Sequence, residues 1–425
     1  MVLNDAPRFD ALQASRIARE VFGIDAVAQP LTSERDQNFL VTEPGGGRRV
    51  LKIANASERA EMLEAQQAAM THVASHTSLC PRPLTTTAGG LMATVEGDER
   101  RRHAVWSVTY LPGLPLGTVG HRSASLLEDF GRAIASLGAA LNGFDHPALH
   151  RDFYWDLANA SRVIDEYRAL VTDAALGQAI DTLAERFDRH VRPVLDKLPR
   201  RAIHGDLNDY NVLVDRNGAG GEGRRDGAVV SGIVDFGDMV HSYAVADVAI
   251  AAAYMMLDAD DPLDALSHIV RGYSAVAALR QDELHALFGL SAMRLCMSAC
   301  IAAHQRRERP DNEYLDVSQT AIRRTLPALA AIPFELAEAV VREASGVEPS
   351  PPAAGVRAWL QANTARFAPV MPFDPLTDPV LGAGPRHHES ARECRGGRER
   401  GADADRARRL GHACRGCSGE HRPVR

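Results

Sequence analysis

Two runs decide how this chain is read: His204-Gly205-Asp206-Leu207-Asn208-Asp209-Tyr210-Asn211-Val212-Leu213-Val214-Asp215 and, after a glycine-rich interruption, Gly227-Ala228-Val229-Val230-Ser231-Gly232-Ile233-Val234-Asp235-Phe236-Gly237-Asp238. Asn211 stands five positions after Asp206, and the apolar runs 211–214 and 229–234 have the length and β-branched content of strands. This order predicts a catalytic loop, a β-hairpin, and a metal-binding aspartate at the end of the second strand. Phosphoryl transfer needs those parts. The charge on the group must be neutralised while an alcohol approaches in line, so positioning and electrostatics carry most of the catalysis. One carboxylate must face the hydroxyl, which fits Asp206. A further carboxylate and an amide oxygen suit a hard cation such as Mg²⁺, which fits Asp235 and Asn211. Each fragment alone is common; in this order, with strands between, chance is a poor explanation.

The Asp-to-Asn spacing followed by a strand and Asp-Phe-Gly resembles that of protein kinases. With His204-Gly205-Asp206-Leu207 in place of His-Arg-Asp, the chain resembles the aminoglycoside phosphotransferase and choline kinase superfamily of small-molecule kinases. Asp36-Gln37-Asn38-Phe39, Val50-Leu51-Lys52-Ile53 and the Asp235-to-Met239 block look most like the hydroxylysine kinases. The resemblance covers residues 10–370. It implies an α+β, two-lobed protein-kinase-like fold, with a small antiparallel-sheet lobe at residues 1–109, a hinge at 110–112 and a larger, mostly helical lobe at 113–370. It also implies that Lys52 reaches the α/β-phosphates and pairs with Glu64. The co-substrate is then ATP or GTP with Mg²⁺, and the acceptor a small hydroxylated amine such as 5-hydroxylysine.

Composition sets outer bounds. The chain has 425 residues, 45% hydrophobic and 24% charged, the profile of an ordinary globular protein with room for more than one domain. Net charge is −7, yet residues 385–425 hold eleven Arg against six acids, so the body is distinctly acidic. That argues against nucleic acid as a partner. Cys80, Cys296 and Cys300 show no framework spacing and read as reduced thiols. No signal pattern opens the chain, and the apolar run 245–257 is short and carries Asp247, so a cytoplasmic location without membrane contact is expected.

Before the catalytic loop, periodicity predicts a helix over 9–22, strands over 26–31 and 38–42, and a helix over 58–75 offering Glu58, Glu61 and Glu64. Strands are expected at 50–53, 91–95 and 103–108. Segment 32–37 takes the place of a phosphate-covering loop but has no glycine, which leaves Ser33, Gln37, Asn38 and backbone N–H groups as donors. Pro44-Gly45-Gly46-Gly47 is a hairpin turn. Tyr110 and Leu111 fall in the hinge, where backbone groups would hold the purine edge. Helices follow over 125–141 and 175–191.

The aromatic stretch 150–156 reads as a packed helix entry rather than a substrate wall. His204 reads as an orienting group bonded to backbone near Asp235, and Asp247 as a structural carboxylate within a buried helix, bonding back to the catalytic loop. Gly218–Gly223 satisfies G-x-G-x-x-G literally, but it precedes a strand and so fails the dinucleotide context. Helices are expected over 262–280, 281–307, 313–327, 333–345 and 356–367. Arg294, His304, Arg306 and Arg307 read as surface charge. Residues 371–425 form a Pro- and Arg-rich tail unable to build a core. Its composition breaks near residue 382, as a shifted frame or a truncated fusion would give, and Cys414/Cys417 are a weak zinc signal.

Two rivals remain: a kinase for homoserine, choline, ethanolamine or an aminoglycoside, and a nucleotide-binding module without turnover. Oligomeric state is not legible.

Overall fold

The computed structural model describes residues 6–33, 35–215, 228–308 and 318–351, with Gly355, Ala358 and Trp359. The glycine motif at 218–223, most of the helix expected at 356–367, and the tail with Cys414 and Cys417 lie outside the described residues. The chain divides into one unit at Met1–Pro351 and a second at Pro352–Arg425.

Helix α1 (Ala11–Phe22) opens on a capping box: the Gln13 N–H donates to Asp10 at 2.7 Å, and the Asp10 N–H to the Gln13 side chain at 2.8 Å. Its buried stripe, Ala14, Ile17, Ala18 and Phe22, covers an antiparallel five-stranded sheet. The strands are β1 (Val27–Leu31), β2 (Gln37–Thr42), β3 (Arg48–Ile53), β4 (Met92–Glu96) and β5 (Arg102–Thr109), in the order β1-β2-β3-β5-β4. The glycine turn between β2 and β3 closes with Gly46 at φ 84° and its N–H donating to Glu43 at 2.9 Å. Register sets Asn38, Lys52 and Trp106 side by side across β2, β3 and β5. Helix α2 (Ala60–Ala74), between β3 and β4, buries Met62, Ala65, Ala69, Met70 and Val73 in the larger core, not against the sheet's own cluster.

Beyond β5 the chain is mostly helical, with two small sheets. β7 (Arg200–Ile203) pairs with β10 (Val240–Tyr243). The expected hairpin forms from β8 (Val212–Asp215) and β9 (Val229–Ile233), with a register shift between Leu213 and Val214 and the short β6 (Leu114–Pro115) on its other edge. Helices α3 (Ala124–Ala140), α4 (Ala160–Tyr167), α5 (Ala174–His190), α6 (Ala246–Met256), α7 (Pro262–Ser274), α8 (Gln281–Glu308), α9 (Gln319–Ala331) and α10 (Phe334–Ala344) build one continuous core. The sequence reading gave α4 only as a helix entry at 150–156, ran α7 six residues too far, and stopped α9 at Pro327. That proline lies inside the helix, where fully buried Leu326 and Leu329 hold it. By length and composition α8 could cross a membrane, but 94% of its apolar window is buried inside the protein.

Candidate active site

The site is assembled at the end of β7. Gly205 has φ 81°, and a Cβ there would meet the Asp238 carbonyl oxygen at 2.5 Å, so the turn needs glycine. The N–H groups of His204 and Gly205 donate to Asp247 at 3.1 and 2.9 Å. Asp247, 2% exposed in the first turn of α6, therefore anchors the turn from beneath. His204 Nε2 lies 3.1 Å from the Val234 carbonyl, and its Nδ1 accepts from the Asp206 N–H at 3.3 Å. These partners assign the proton to Nε2. The ring packs edge-on against Phe236 at 4.9 Å, tying the catalytic loop to the Asp-Phe-Gly segment.

Asp206 is held by three side chains. Oδ1 accepts from Arg294 Nη2 at 2.7 Å; Oδ2 accepts from Asn208 Nδ2 at 2.9 Å and Asn211 Nδ2 at 2.8 Å. Burial pushes the carboxyl up to about 6, and Asp238 and Asp235 add to the rise, against the pull of Arg294 and His204. The loop is braced on its far side, where Arg122 donates to Asp209 at 3.0 Å and the Gly117 N–H to the Asp209 carbonyl at 2.8 Å.

The hairpin brings Asn211 and Asp235 together. The Val234 N–H donates to the Asn211 carbonyl at 2.9 Å, so Asp235 leaves the ladder one residue beyond Asn211. Asp235 adopts φ 66°, a left-handed conformation uncommon for a side-chain-bearing residue and concentrated at functional sites. Burial would raise its carboxyl, but Lys52 foremost and then Arg35 outweigh burial and hold it low. Asn211 directs its amide nitrogen to Asp206, which turns its oxygen the other way. An ionised carboxylate beside an amide oxygen is a hard-oxygen donor set, and it fits Mg²⁺.

Lys52 lies on β3, its Nζ 5.0 Å from the Trp106 ring centroid. Beside it, the buried Asn38 Oδ1 has no hydrogen-bond partner. The expected pairing with Glu64 needs correction: among the described residues no ion pair joins the two, and Glu64 is exposed. Glu64 shares the solvent face of α2 with Glu61, three positions earlier, while the opposite face is buried. Of the three expected glutamates Glu58 faces the charged cluster, with its carboxyl raised by burial and influenced by Arg35, Asp36 and Arg151. Tyr110 and Leu111, expected in the hinge, directly follow β5. Arg48 lies over the Tyr110 ring at 4.2 Å, Leu111 packs against Gly232, and Ser231 donates to the Pro112 carbonyl at 2.8 Å.

Three arginines complete the site. Arg294, read as surface charge, is instead buried against Asp206 and lies over the Trp155 ring, 4.6 Å from its centroid. Arg35, in the glycine-free loop, donates to Asp238 at 2.9 Å. Arg151 donates to the carbonyls of Gly237 and Met239 at 3.2 and 2.9 Å. The 150–156 stretch is thus part packing and part site: Asp156 caps a short helical turn and accepts from Ser242, while Arg151 and Trp155 reach the catalytic segments.

A family model described as a phosphotransferase enzyme family (APH) matches residues 27–294. The chain belongs to this phosphotransferase family. Hydroxylysine kinase of Mus musculus is 34% identical over 332 residues, covering 73% of this chain and 87% of that protein. Hydroxylysine kinase of Xenopus laevis is 32% identical over 326 residues, covering 73% and 86%. The structure of an amicoumacin kinase in complex with AMP-PNP, Ca²⁺ and Ami superposes with a TM-score of 0.57 at 12% identity, covering 77% of this chain and 96% of that one; it speaks for the fold alone. As a member of the APH phosphotransferases the protein is a small-molecule kinase acting on an alcohol group, with a nucleoside triphosphate as donor and a small molecule as acceptor.

Proposed function

We propose that this kinase transfers the γ-phosphoryl group of ATP or GTP to the hydroxyl of 5-hydroxylysine. The observation that carries the catalytic part is the grip of Arg294, Asn208 and Asn211 on Asp206, one hydrogen-bonded layer from Asp235. Asp206 orients the acceptor hydroxyl and takes its proton as the new O–P bond forms. Lys52 lies against the α/β-phosphates, with Asn38 beside it. Glu58, in the turn just before α2, replaces Glu64 as the carboxylate facing the cluster. His204 keeps the turn before Asp206 in register with Asp235, and Tyr110 and Leu111 present backbone groups to the purine. Asn211 and Asp235 would hold Mg²⁺, which when bound neutralises phosphate charge. Among the described residues of the first unit, those of 1–109 form the nucleotide-binding lobe, 110–112 the hinge and those from 113 to 351 the catalytic lobe. The acceptor assignment is supported by 34% identity to a hydroxylysine kinase over most of both chains.

The test is nucleoside diphosphate release, with ATP and GTP each run against hydroxylated amino acids and amino alcohols. Release stimulated most by 5-hydroxylysine, and reduced about 10²–10⁴-fold in Asp206→Ala, is the expected result. Preference for homoserine or another amino alcohol would replace the acceptor. Full turnover in Asp206→Ala would refute the role of Asp206.

A further inference from the structure

We propose that Arg294 is a positioning residue for this reaction, leaving one oxygen of Asp206, Oδ1, open to the acceptor hydroxyl. The inference rests on the function proposed above.

Arg294 sits in the middle of α8, among fully buried neighbours such as Met293, Leu295 and Cys296, and is itself 2% exposed. A guanidinium is expensive to bury unless its charge is matched. Asp206, the Trp155 carbonyl and the Trp155 ring match this one, while its buried Nε has no hydrogen-bond partner among the described residues. Nη2 donates to Asp206 Oδ1 at 2.7 Å and Nη1 to the Trp155 carbonyl at 3.0 Å. The Trp155 ring lies against its plane at 4.6 Å, with Tyr254 behind at 6.0 Å. The Trp155 carbonyl and ring fix the plane of the guanidinium, so its single Nη2 bond holds Oδ1 along one direction, more closely than the freely rotating ammonium of a lysine would.

Lone-pair accounting gives the consequence. An ionised carboxylate offers about two acceptor sites on each oxygen. Oδ2 receives both Asn208 and Asn211, so its sites are filled. Among the described residues Oδ1 receives Arg294 alone. The remaining site is on Oδ1, beside the guanidinium, and that is where the hydroxyl hydrogen goes. In the transfer step the acceptor O–H bond breaks and its proton passes to Oδ1. The acceptor oxygen forms its bond to the γ-phosphorus as the bond to the β–γ bridging oxygen breaks, and the nucleoside diphosphate leaves with that electron pair. Arg294 keeps its protons throughout.

The experiment is a double-mutant cycle in the full chain: Asp206→Asn, Arg294→Met and the pair, with kcat and KM measured at saturating nucleotide. If Arg294 acts through Asp206, Arg294→Met lowers kcat by about 10²-fold, leaves the acceptor KM nearly unchanged, and adds nothing to Asp206→Asn. Arg294→Lys keeps the charge but loses the fork, and is expected to recover only part of the turnover. It also serves if thermal melting shows Arg294→Met unfolded, since a lysine variant with full kcat would overturn the proposal. A rise in acceptor KM with kcat intact would make Arg294 an acceptor-binding group instead. Additive losses in the cycle would likewise end the positioning role. Wild-type turnover in Asp206→Asn would sink the function of Asp206 itself, a result distinct from all the others.

Discussion

Arg35 and Asp238 are 203 residues apart in sequence and are joined by a hydrogen-bonded ion pair of 2.9 Å. The pair ties the loop between β1 and β2 to the residue just after Asp235-Phe236-Gly237. This loop has no glycine, so its backbone lacks the freedom that lets a glycine-rich loop wrap phosphates closely. A guanidinium offers five N–H donors at the end of a long side chain and does not need that freedom. Arg35→Ala should raise the nucleotide KM about tenfold, the loss of one charge-assisted contact. Because the pair is partly exposed, unfolding stability should change by less than about 1 kcal/mol. Nucleotide titration and urea unfolding on the same preparation separate the two effects; an unchanged KM would leave Arg35 as a lobe tether only.

Asp247 supports the catalytic turn without facing substrate. It is the acceptor for two buried N–H groups, and an unsatisfied buried donor costs about 1–3 kcal/mol. Asp247→Ala should therefore lose about 2–6 kcal/mol in chemical denaturation. Turnover should fall as well, because Gly205 is then free to leave the conformation that aims Asp206. Full stability in this variant would mean that water replaces the carboxylate.

The sequence made Asp206, Asn211, Asp235 and His204 legible because they lie in one local stretch, where spacing reports geometry directly. The strands around Lys52 were legible for the same reason, through alternation and a glycine turn. Arg294 was not, because it meets Asp206 from 88 residues away and sits in a helix whose composition says only that it is apolar. The signal was available in principle: a single arginine among Met293, Leu295, Cys296 and Met297 must have a buried partner. Arg35 was not legible because its partner, Asp238, lies 203 residues away; the donors expected in this loop were Ser33, Gln37, Asn38 and backbone N–H groups. Glu64 fails on helix phase: the resemblance points to it, but the 3.6-residue period puts it on the solvent face with Glu61.

Helices α3 and α7 cross where Gly131 and Gly272 face each other. A Cβ on Gly272 would run into the Glu128 carbonyl, and one on Gly131 into the Ile269 carbonyl. Both obstacles are backbone, so no side chain can rotate away. Gly272→Ala should destabilise by about 1–3 kcal/mol or more through forced separation of the helices. Gly131→Ala should do the same. The two should combine less than additively, since one displacement of the helices relieves both contacts. Gly120, with nothing within 4 Å, is the control and should tolerate alanine with little change. Thermal or urea unfolding of the four variants decides the matter.

His285 gives stability a pH dependence of known sign. Its Nδ1 lies 2.7 Å from Glu338 Oε2 and its Nε2 2.7 Å from the His190 carbonyl. Both partners are acceptors, so both ring nitrogens donate only in the imidazolium form. Burial alone would lower the pKa, but the His190 carbonyl and then Glu338 outweigh it and raise the group above its ordinary value. The folded pKa thus lies above the unfolded value near 6.5. The stabilisation is fully present below about pH 6.5 and is lost as pH rises through the folded pKa. With the pair partly solvated, the amount is about 1 kcal/mol or less. Other titrating groups cancel when wild type is compared with His285→Ala at each pH. The stability gap between them should be widest at pH 6 and narrow toward pH 9. A gap that widens with pH would show that the ring is held neutral, with one of its two acceptors left unmatched.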